Sequence, residues 1–155
     1  MTQSQAVLTQ SMAILDWLEE RYPTPALLPQ DDPQLRAQVR AAAMVIAADV
    51  HPVNNLRVVK ALKDQGFSQD QCTAWMNDWM THGFTAFQAL IAKDTPYCFG
   101  DAPTLADICL IPQLYNAHRW GCDLTPFTRL TEIEALCLAQ PAFAAARPEA
   151  QPDAA

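Results

Sequence analysis

The 155-residue sequence is poor in glycine and lacks the residue spacings that mark metal sites and disulfide frameworks. Its four glycines leave few positions for tight β-turns. The five cysteines are odd in number, and none is spaced as C-x-x-C, which argues against a disulfide framework and a zinc site. The three histidines stand too far apart to form a metal-binding pair on one helix. We therefore expect no metal, and we interpret the cysteines as reduced thiols that mostly pack in the interior.

Long apolar runs and clustered positive charge are missing as well. No stretch approaches the roughly 20 apolar residues that span a bilayer, and no basic region followed by an apolar run opens the sequence. The net charge is −7, and the ten lysines and arginines are scattered, which argues against nucleic acid as a partner. The sequence thus predicts a cytoplasmic protein that binds neither membrane nor nucleic acid.

What the sequence does contain is helical periodicity, and half of its residues are hydrophobic. We expect an all-α fold with a single core. The predicted helices cover residues 11–22, from 32 toward 59 or 62 with a bend or break at Pro52, from 68 to about 91, 104–119 with Pro112 as a kink, and 130–139. The final dozen residues are expected to form a loosely packed or frayed coil.

Apolar and aromatic side chains at helical spacing predict which helix faces are buried. The predicted inward face of the first helix consists of Ile14, Leu15, Trp17 and Leu18. The predicted stripe of the third helix consists of Trp75, Trp79, Phe84, Phe87, Leu90 and Ile91. A stripe of this kind is more often core than a cofactor site.

Polar residues at three helix starts have readable structural roles. Asp32 followed by Pro33 is an N-cap with proline in the first turn. Ser68 with Gln71 fits a capping box. Thr104 with Asp107 predicts a second one, in which Thr104 caps the Asp107 amide and the Asp107 carboxylate reaches back to the amide of Thr104.

The proline-rich stretch at residues 23–29 predicts a connection between two parts of the chain. Leu27 and Leu28 are expected to be held in a groove there. We divide the chain into residues 1–22 as the end of one domain, 23–32 as a linker and 33–155 as a helical domain.

Six motifs in this order give the chain a specific resemblance that extends from about Leu8 to Ala154. They read QSMAI, PTPALLP, HPVNNLRV, FGDAPTLADICLIPQ, NAHRWGCDLTP and QPDA. The order is similar to that in zeta-class glutathione transferases, the maleylacetoacetate and maleylpyruvate isomerases. The resemblance implies a helical bundle of the glutathione transferase C-terminal type, glutathione as cofactor, a small keto diacid as substrate, and a homodimer.

The first two binding residues that the resemblance implies lie at the start of the first helix. Gln10 and Ser11 match the pair that holds the γ-glutamyl end of glutathione. The physical reason is sound, because the first turn of a helix leaves amides unpaired and its dipole favours a carboxylate. Only ten residues precede Ser11, too few for the βαβ unit that carries the catalytic Ser or Cys in such proteins.

The resemblance also assigns polar residues further along the chain. His51, Asn55 and Arg57 match positions that border the glutathione site, and a helix that continued past Pro52 would place His51 and Asn55 on one face. The alternative is that His51 bridges backbone carbonyls freed by Pro52, while Arg57 is a solvated surface charge. Arg119 matches the arginine that faces the diacid, since a guanidinium binds a carboxylate bidentately; the alternative is a favourable charge at a helix end.

Two classes of function remain open from the sequence. In the isomerases, the glutathione thiolate adds to the substrate double bond, rotation follows, and the thiolate leaves. No Ser-Ser-Cys run that would lower the thiol pKa occurs here, so we assign no catalytic residue and expect this chain to be inactive alone. The alternatives are a non-catalytic helical module for dimerisation or partner binding, or another glutathione transferase activity such as conjugation or dehalogenation.

Overall fold

The structure, a computed structural model, describes residues 7–154. Every regular element in that range is helical, and one isolated antiparallel bridge joins Tyr97 and Gly100. The α-helices are α1 (Ser11–Arg21), α2 (Pro33–Met44), α3 (His51–Val53), α4 (Leu56–Asp64), α5 (Gln69–Leu90), α6 (Leu105–Arg119), α7 (Thr128–Leu138) and α8 (Pro141–Ala145). A π-helical segment (Val45–Val50) follows α2, and 3₁₀ turns occupy Thr125–Phe127 and Pro148–Ala150. The all-α expectation is confirmed.

The predicted helix starts at Asp32 and Ser68 are confirmed. The Leu35 amide donates a 2.9 Å hydrogen bond to the Asp32 carboxylate, and proline occupies the first turn of α2. At α5, the Gln71 amide donates to Ser68 Oγ at 3.2 Å, and the Ser68 amide donates to Gln71 Oε1 at 2.8 Å. Local side-chain chemistry therefore fixes where these two helices begin.

The core is built around α6, which packs mainly against α2 and also against α7 and the π-helical segment. Leu105, Leu110 and Leu114 of α6 are fully buried. Pro112 lies inside the helix, on its exposed side. Because different faces of α6 pack against different elements, this helix fixes where those elements lie relative to one another.

The capping box at the start of α6 is confirmed, and its carboxylate does more than cap. Asp107, which is completely buried, accepts hydrogen bonds from the Thr104 amide at 2.7 Å and from Thr104 Oγ1 at 2.8 Å. It also accepts one from the Cys98 amide at 3.0 Å. The carboxylate therefore ties the loop before α6 to the first turn of that helix.

A second buried carboxylate, Glu19, holds the linker, and no sequence pattern indicated this role. The amides of Leu27 and Leu28 donate to Glu19 at 2.9 and 3.2 Å, and Gln30 Nε2 donates at 3.0 Å. The Leu27 carbonyl in turn accepts a 2.9 Å bond from the Leu105 amide of α6. The expectation that these leucines are held is confirmed, since Leu28 is only 2% exposed.

The predicted inward face of α1 is partly wrong. Trp17 and Leu18 are exposed, whereas Met12 and Leu15 pack against the core and Glu19 is buried. The reason is that Glu19 satisfies linker amides, which turns its side of the helix inward. Hydrophobic periodicity cannot predict that a carboxylate is buried when the reason for its burial is a set of hydrogen bonds.

The stripe on α5 is also narrower than predicted. Phe84 and Phe87 are fully buried, but Trp79 and Leu90 are exposed. Gly83 lies within the buried face and allows close approach of the π-helical segment, since a Cβ added there would stand 2.2 Å from Val50 Cγ2. Two packed elements therefore meet at this glycine.

The predicted long helix from residue 32 toward 59 or 62 is interrupted. The π-helical segment precedes Pro52, and the chain breaks after α3, at Asn54 and Asn55. Asn55 has extended backbone angles and caps α4 by accepting a 3.1 Å bond from the Arg57 amide. The regular α-helix is therefore interrupted on both sides of Pro52, and Asn55 caps the next helix, α4.

Residues 144–154 are exposed, as expected of a loosely packed segment, but they are not all coil, because they include the end of α8 and a 3₁₀ turn. Tyr115 Oη of α6 donates a 2.8 Å bond to Glu149 in that turn. Gln151 Nε2 donates to the carbonyls of Ala145 and Arg147. Side-chain hydrogen bonds to α6 and to the segment's own backbone stabilise these residues in place of an extensive apolar face.

Candidate functional site

The start of α1 combines unpaired helix amides with unusual backbone angles. Gln10 immediately precedes the helix with φ 71° and ψ 116°, a conformation that residues other than glycine rarely adopt. Its side chain makes no capping hydrogen bond, and no acidic residue occupies the first turn. Because first-turn amides lack partners within the helix, Gln10 and Ser11 border a place suited to an anion. Strained backbone of this kind concentrates at functional sites.

The same end of α1 lies against α6. Cys109 Sγ is 3.9 Å from Met12 Sδ, one residue after Ser11. Burial raises the pKa of the Cys109 thiol to about 11, so the thiol is protonated at neutral pH and acts in packing. The contact places the start of α1 beside the first half of α6.

His51 comes to the same helix one turn further along. It opens α3 directly after the π-helical segment, and it is exposed overall while its imidazole lies near the buried Gln113 side chain. Loss of hydration lowers the pKa of His51, and the interaction with Gln113 opposes that shift in part. Cys109 and Gln113 are four residues apart and share one face of α6.

Asn55 and Arg57 do not join His51 as predicted. Because the helix breaks between them, His51 and Asn55 are not on one helix face, and that prediction is wrong. The hydrogen bond of Asn55 is local, to the Arg57 amide, and both residues are exposed. Their proposed roles toward glutathione remain predictions.

Asn54, which the sequence did not single out, anchors the break. Its Nδ2 donates a 3.2 Å bond to the Met76 carbonyl of α5. One residue earlier, the Val53 carbonyl accepts a 3.1 Å bond from Trp75 Nε1. The sequence does not distinguish these two adjacent asparagines. In the structure, Asn54 hydrogen-bonds α5 and Asn55 caps α4.

Arg119 borders a groove of about 900 Å³ between α6, α7 and the C-terminal residues. The guanidinium is exposed and lies over the Trp120 ring at 5.5 Å from its centroid. The groove walls are mainly apolar, with Ile111, Leu138 and Phe143 among them. Arg119 follows Cys109 by ten residues, or about 15 Å along the helix axis.

The buried thiols offer no obvious nucleophile in the described part of the chain. Burial raises the pKa of Cys98, and Asp107 adds to the effect. Burial also raises the pKa of Cys137 to about 12 and that of Cys122 above its ordinary value. Thiols of this kind are protonated at neutral pH, which is consistent with their interpretation as packing residues.

No group of three or more His, Cys, Asp and Glu side chains is arranged to hold a metal ion within residues 7–154. None of the helices there has the length and apolar character needed to cross a bilayer.

Comparison with known proteins agrees with this geometry. The glutathione S-transferase C-terminal domain family matches residues 72–145. A maleylpyruvate isomerase of Ralstonia sp. is 47% identical over 153 residues, which cover 96% of this chain and 72% of the relative. The holo structure of a maleylpyruvate isomerase described as a zeta-class bacterial glutathione S-transferase is 45% identical with a TM-score of 0.94, covering 100% of this chain and 74% of that one.

A third relative shows ligands. The maleylacetoacetate isomerase of Anaeromyxobacter dehalogenans, with dicarboxyethyl glutathione and citrate bound in its active site, is 42% identical with a TM-score of 0.90. The match covers 97% of this chain and 69% of that one. The helices, their order and these matches define a glutathione transferase fold. Within it, the chain belongs to the zeta class, the family of maleylpyruvate and maleylacetoacetate isomerases.

Proposed function

We propose that this chain serves the glutathione-dependent cis–trans isomerisation of a small keto diacid, either maleylpyruvate or maleylacetoacetate. The observation that carries the proposal is the arrangement along α6. The anion-suited start of α1 contacts one end of this helix through Met12, and Arg119 stands at the other end beside a groove. Glutathione and a diacid both carry carboxylates, so each needs a place that binds an anion. In this proposal the start of α1 is one such place and Arg119 is the other, and both adjoin α6.

The two places would bind different ligands, glutathione at the start of α1 and the diacid at Arg119. The amides after Gln10 would hold the γ-glutamyl carboxylate, with the helix dipole favouring its charge. His51, neutral because its pKa is lowered, would accept or donate a hydrogen bond beside them. Arg119 would bind a carboxylate of the diacid through its planar guanidinium. Bound glutathione would supply the thiolate that adds reversibly to the double bond.

The ligands in the Anaeromyxobacter dehalogenans relative support this division. A glutathione that carries a dicarboxyethyl group joins the thiol to a two-carboxylate fragment in one molecule. The active site of that protein therefore accommodates tripeptide and diacid together. We carry this combination to the present chain because the match covers 97% of it at 42% identity.

The domain organisation is part of the proposal. We infer that residues 1–22 end a thioredoxin-like glutathione-binding domain, that 23–32 link it onward, and that 33–155 form the helical domain. The bonds from Glu19 and Leu105 to the linker support a fixed connection. We also infer a homodimer in the cytoplasm, and the exposed Trp79 and Leu90 of α5 give it apolar surface.

The test is an isomerase assay on two forms of the protein. One is the 155-residue chain, and the other joins this chain to the segment of the Ralstonia maleylpyruvate isomerase that it does not cover. The joined form should convert maleylpyruvate or maleylacetoacetate to the fumaryl isomer only when glutathione is present. Formation of a stable glutathione conjugate or release of halide would instead indicate another transferase activity.

A pair of serine variants tests the glutathione site within the joined form. Ser11→Ala should raise the glutathione concentration needed for half-maximal rate. Ser68→Ala is the matched control, since it removes a helix-start serine whose role is to cap α5. A folded joined form that binds glutathione but leaves the cis isomer unchanged would contradict the proposed function and favour a non-catalytic module.

A further inference from the structure

The C-terminal 3₁₀ turn brings a carboxylate to the groove that Arg119 borders. Tyr115 Oη donates a 2.8 Å hydrogen bond to Glu149 Oε1. Arg147 Nε lies 3.6 Å from Glu149 Oε2. Tyr115, Arg119 and Arg147 all line the groove. The protein's own carboxylate thus lies between a hydroxyl and a guanidinium, at a groove that Arg119 also borders.

The charges around Tyr115 favour an anion at this position. The bond to Glu149 is the main reason why the pKa of Tyr115 is raised, and the positive charges of Arg119 and Arg147 oppose that shift. The same bond holds the pKa of Glu149 below its usual range, and Arg147 adds to the effect. Glu149 is therefore ionised at neutral pH.

The contact is also one that a ligand can replace. The side chains of Arg147 and Glu149 are 51% and 58% exposed, and ion pairs at such exposure contribute little to stability. The rest of the groove offers apolar walls from Ile111 and Phe143 beside these polar groups. A small organic anion with two carboxylates matches this combination of walls and charges.

We propose that Glu149 occupies a carboxylate-binding position formed by Tyr115 and Arg147, next to Arg119 in the same groove, and that a small dicarboxylate binds there by displacing it. The inference rests on the proposed function, because it takes the groove to be the place of the diacid. It adds Tyr115 and Arg147 to Arg119 as partners of the substrate carboxylates, and it gives the C-terminal turn the role of an internal competitor.

The test is calorimetric titration of the 155-residue chain with maleate, without glutathione. Glu149→Gln keeps the size of the side chain and an acceptor for Tyr115 but removes the competing charge, so maleate should bind about three- to tenfold more tightly. Arg147→Ala should weaken maleate binding by at least about threefold. Acetate, with one carboxylate, should respond less to both substitutions.

The matched control is Asp153→Asn, which makes the same charge change in the same exposed segment. Its maleate affinity should stay within about twofold of the unsubstituted chain. Equal tightening by Glu149→Gln and Asp153→Asn would reduce the effect to net charge and overturn the proposal. So would an absence of maleate binding to both the unsubstituted chain and Glu149→Gln, each shown to be folded by its thermal transition.

These outcomes are separate from those of the isomerase assay. Tighter maleate binding by Glu149→Gln together with an inactive joined form would retain the carboxylate position and reject the isomerase function. An active joined form in which Glu149→Gln leaves maleate affinity unchanged would retain the isomerase function and reject the role of Glu149.

Discussion

The start of α6 and the segment from Val45 to Arg57 both place polar residues within apolar helical sequence, and the structure uses them in opposite ways. At α6, buried Asp107 accepts three hydrogen bonds from neighbouring backbone and side-chain groups. In the other segment, His51, Asn55 and Arg57 are exposed. Burial with a full set of partners marks a polar residue that holds the fold, because an unpaired buried carboxylate would be costly. A polar residue that stays exposed, as these three do, is instead available to bind a ligand.

The largest effect should come from removing the buried carboxylate. Asp107→Ala leaves the amides of Cys98 and Thr104 without their acceptor, and we expect a loss of about 3 kcal/mol or more in unfolding free energy. Thr104→Ala should cost less, about 0.5–2 kcal/mol. Denaturant midpoints measure both. The exposed Asp101→Ala is the control, and midpoints unchanged by Asp107→Ala and Thr104→Ala would refute the structural role of the box.

Substitutions of Arg119 test whether an exposed polar residue of this protein binds a ligand. In the joined form, Arg119→Ala should lower kcat/KM for the diacid about ten- to a hundredfold, because a charge-assisted contact is lost, while leaving glutathione saturation nearly unchanged. Arg119→Lys should recover only part of the rate, since an ammonium cannot form the two-pronged contact. His51→Ala and Asn55→Ala should show the reverse pattern and raise the glutathione requirement first. An unmoved diacid saturation curve for Arg119→Ala would reduce this arginine to a charge at a helix end.

Gly83 tests whether the π-helical segment is held by close packing. Gly83→Ala places a methyl group 2.2 Å from Val50 Cγ2, so we expect a loss of about 1–3 kcal/mol from overpacking. Adding Val50→Ala to that variant should restore part of the stability, which a double-mutant cycle measures. Alanine otherwise favours a helix over glycine by about 1 kcal/mol, so a net gain from Gly83→Ala would contradict the contact.

The smallest effect should be the pH dependence that His51 introduces. Its pKa lies below the ordinary value of 6.5, so the unfolded chain takes up the proton more readily than the folded one. Stability relative to His51→Gln should therefore be level above pH 7 and decrease as the pH falls below about 6.5. Paired denaturation curves between pH 5 and 8 measure the difference, with His82→Gln as control. A difference that is flat over this range would contradict the loss of hydration at the imidazole.

Several helix boundaries could be read from the sequence because their causes are local. Asp32 with Pro33, Ser68 with Gln71, and Thr104 with Asp107 each satisfy amides within three residues. The resemblance in motif order likewise located the family correctly. The positions of Gln10, Ser11 and Arg119 followed from that resemblance, and their roles await the tests above.

Other features depend on residues that are distant in sequence. Glu19 looks like a surface acid until its linker partners are known, and Trp17 and Leu18 look like core until Glu19 is turned inward. The break after α3 depends on α5, which receives the hydrogen bond of Asn54. Glu149 hydrogen-bonds Tyr115, which lies 34 positions earlier in the sequence. Helical periodicity contains none of this information.

The sequence by itself determined the helical class, the main capping residues and the family, because local hydrogen bonds and the order of motifs are properties of the linear chain. The tertiary structure alone decided which polar groups became internal partners and which remained exposed. It paired Glu19 with the linker, Asp107 with the Cys98 loop, and Glu149 with Tyr115. The physical reason is that desolvation and hydrogen bonding depend on what the folded chain brings within about 3 Å, not on neighbours along the sequence.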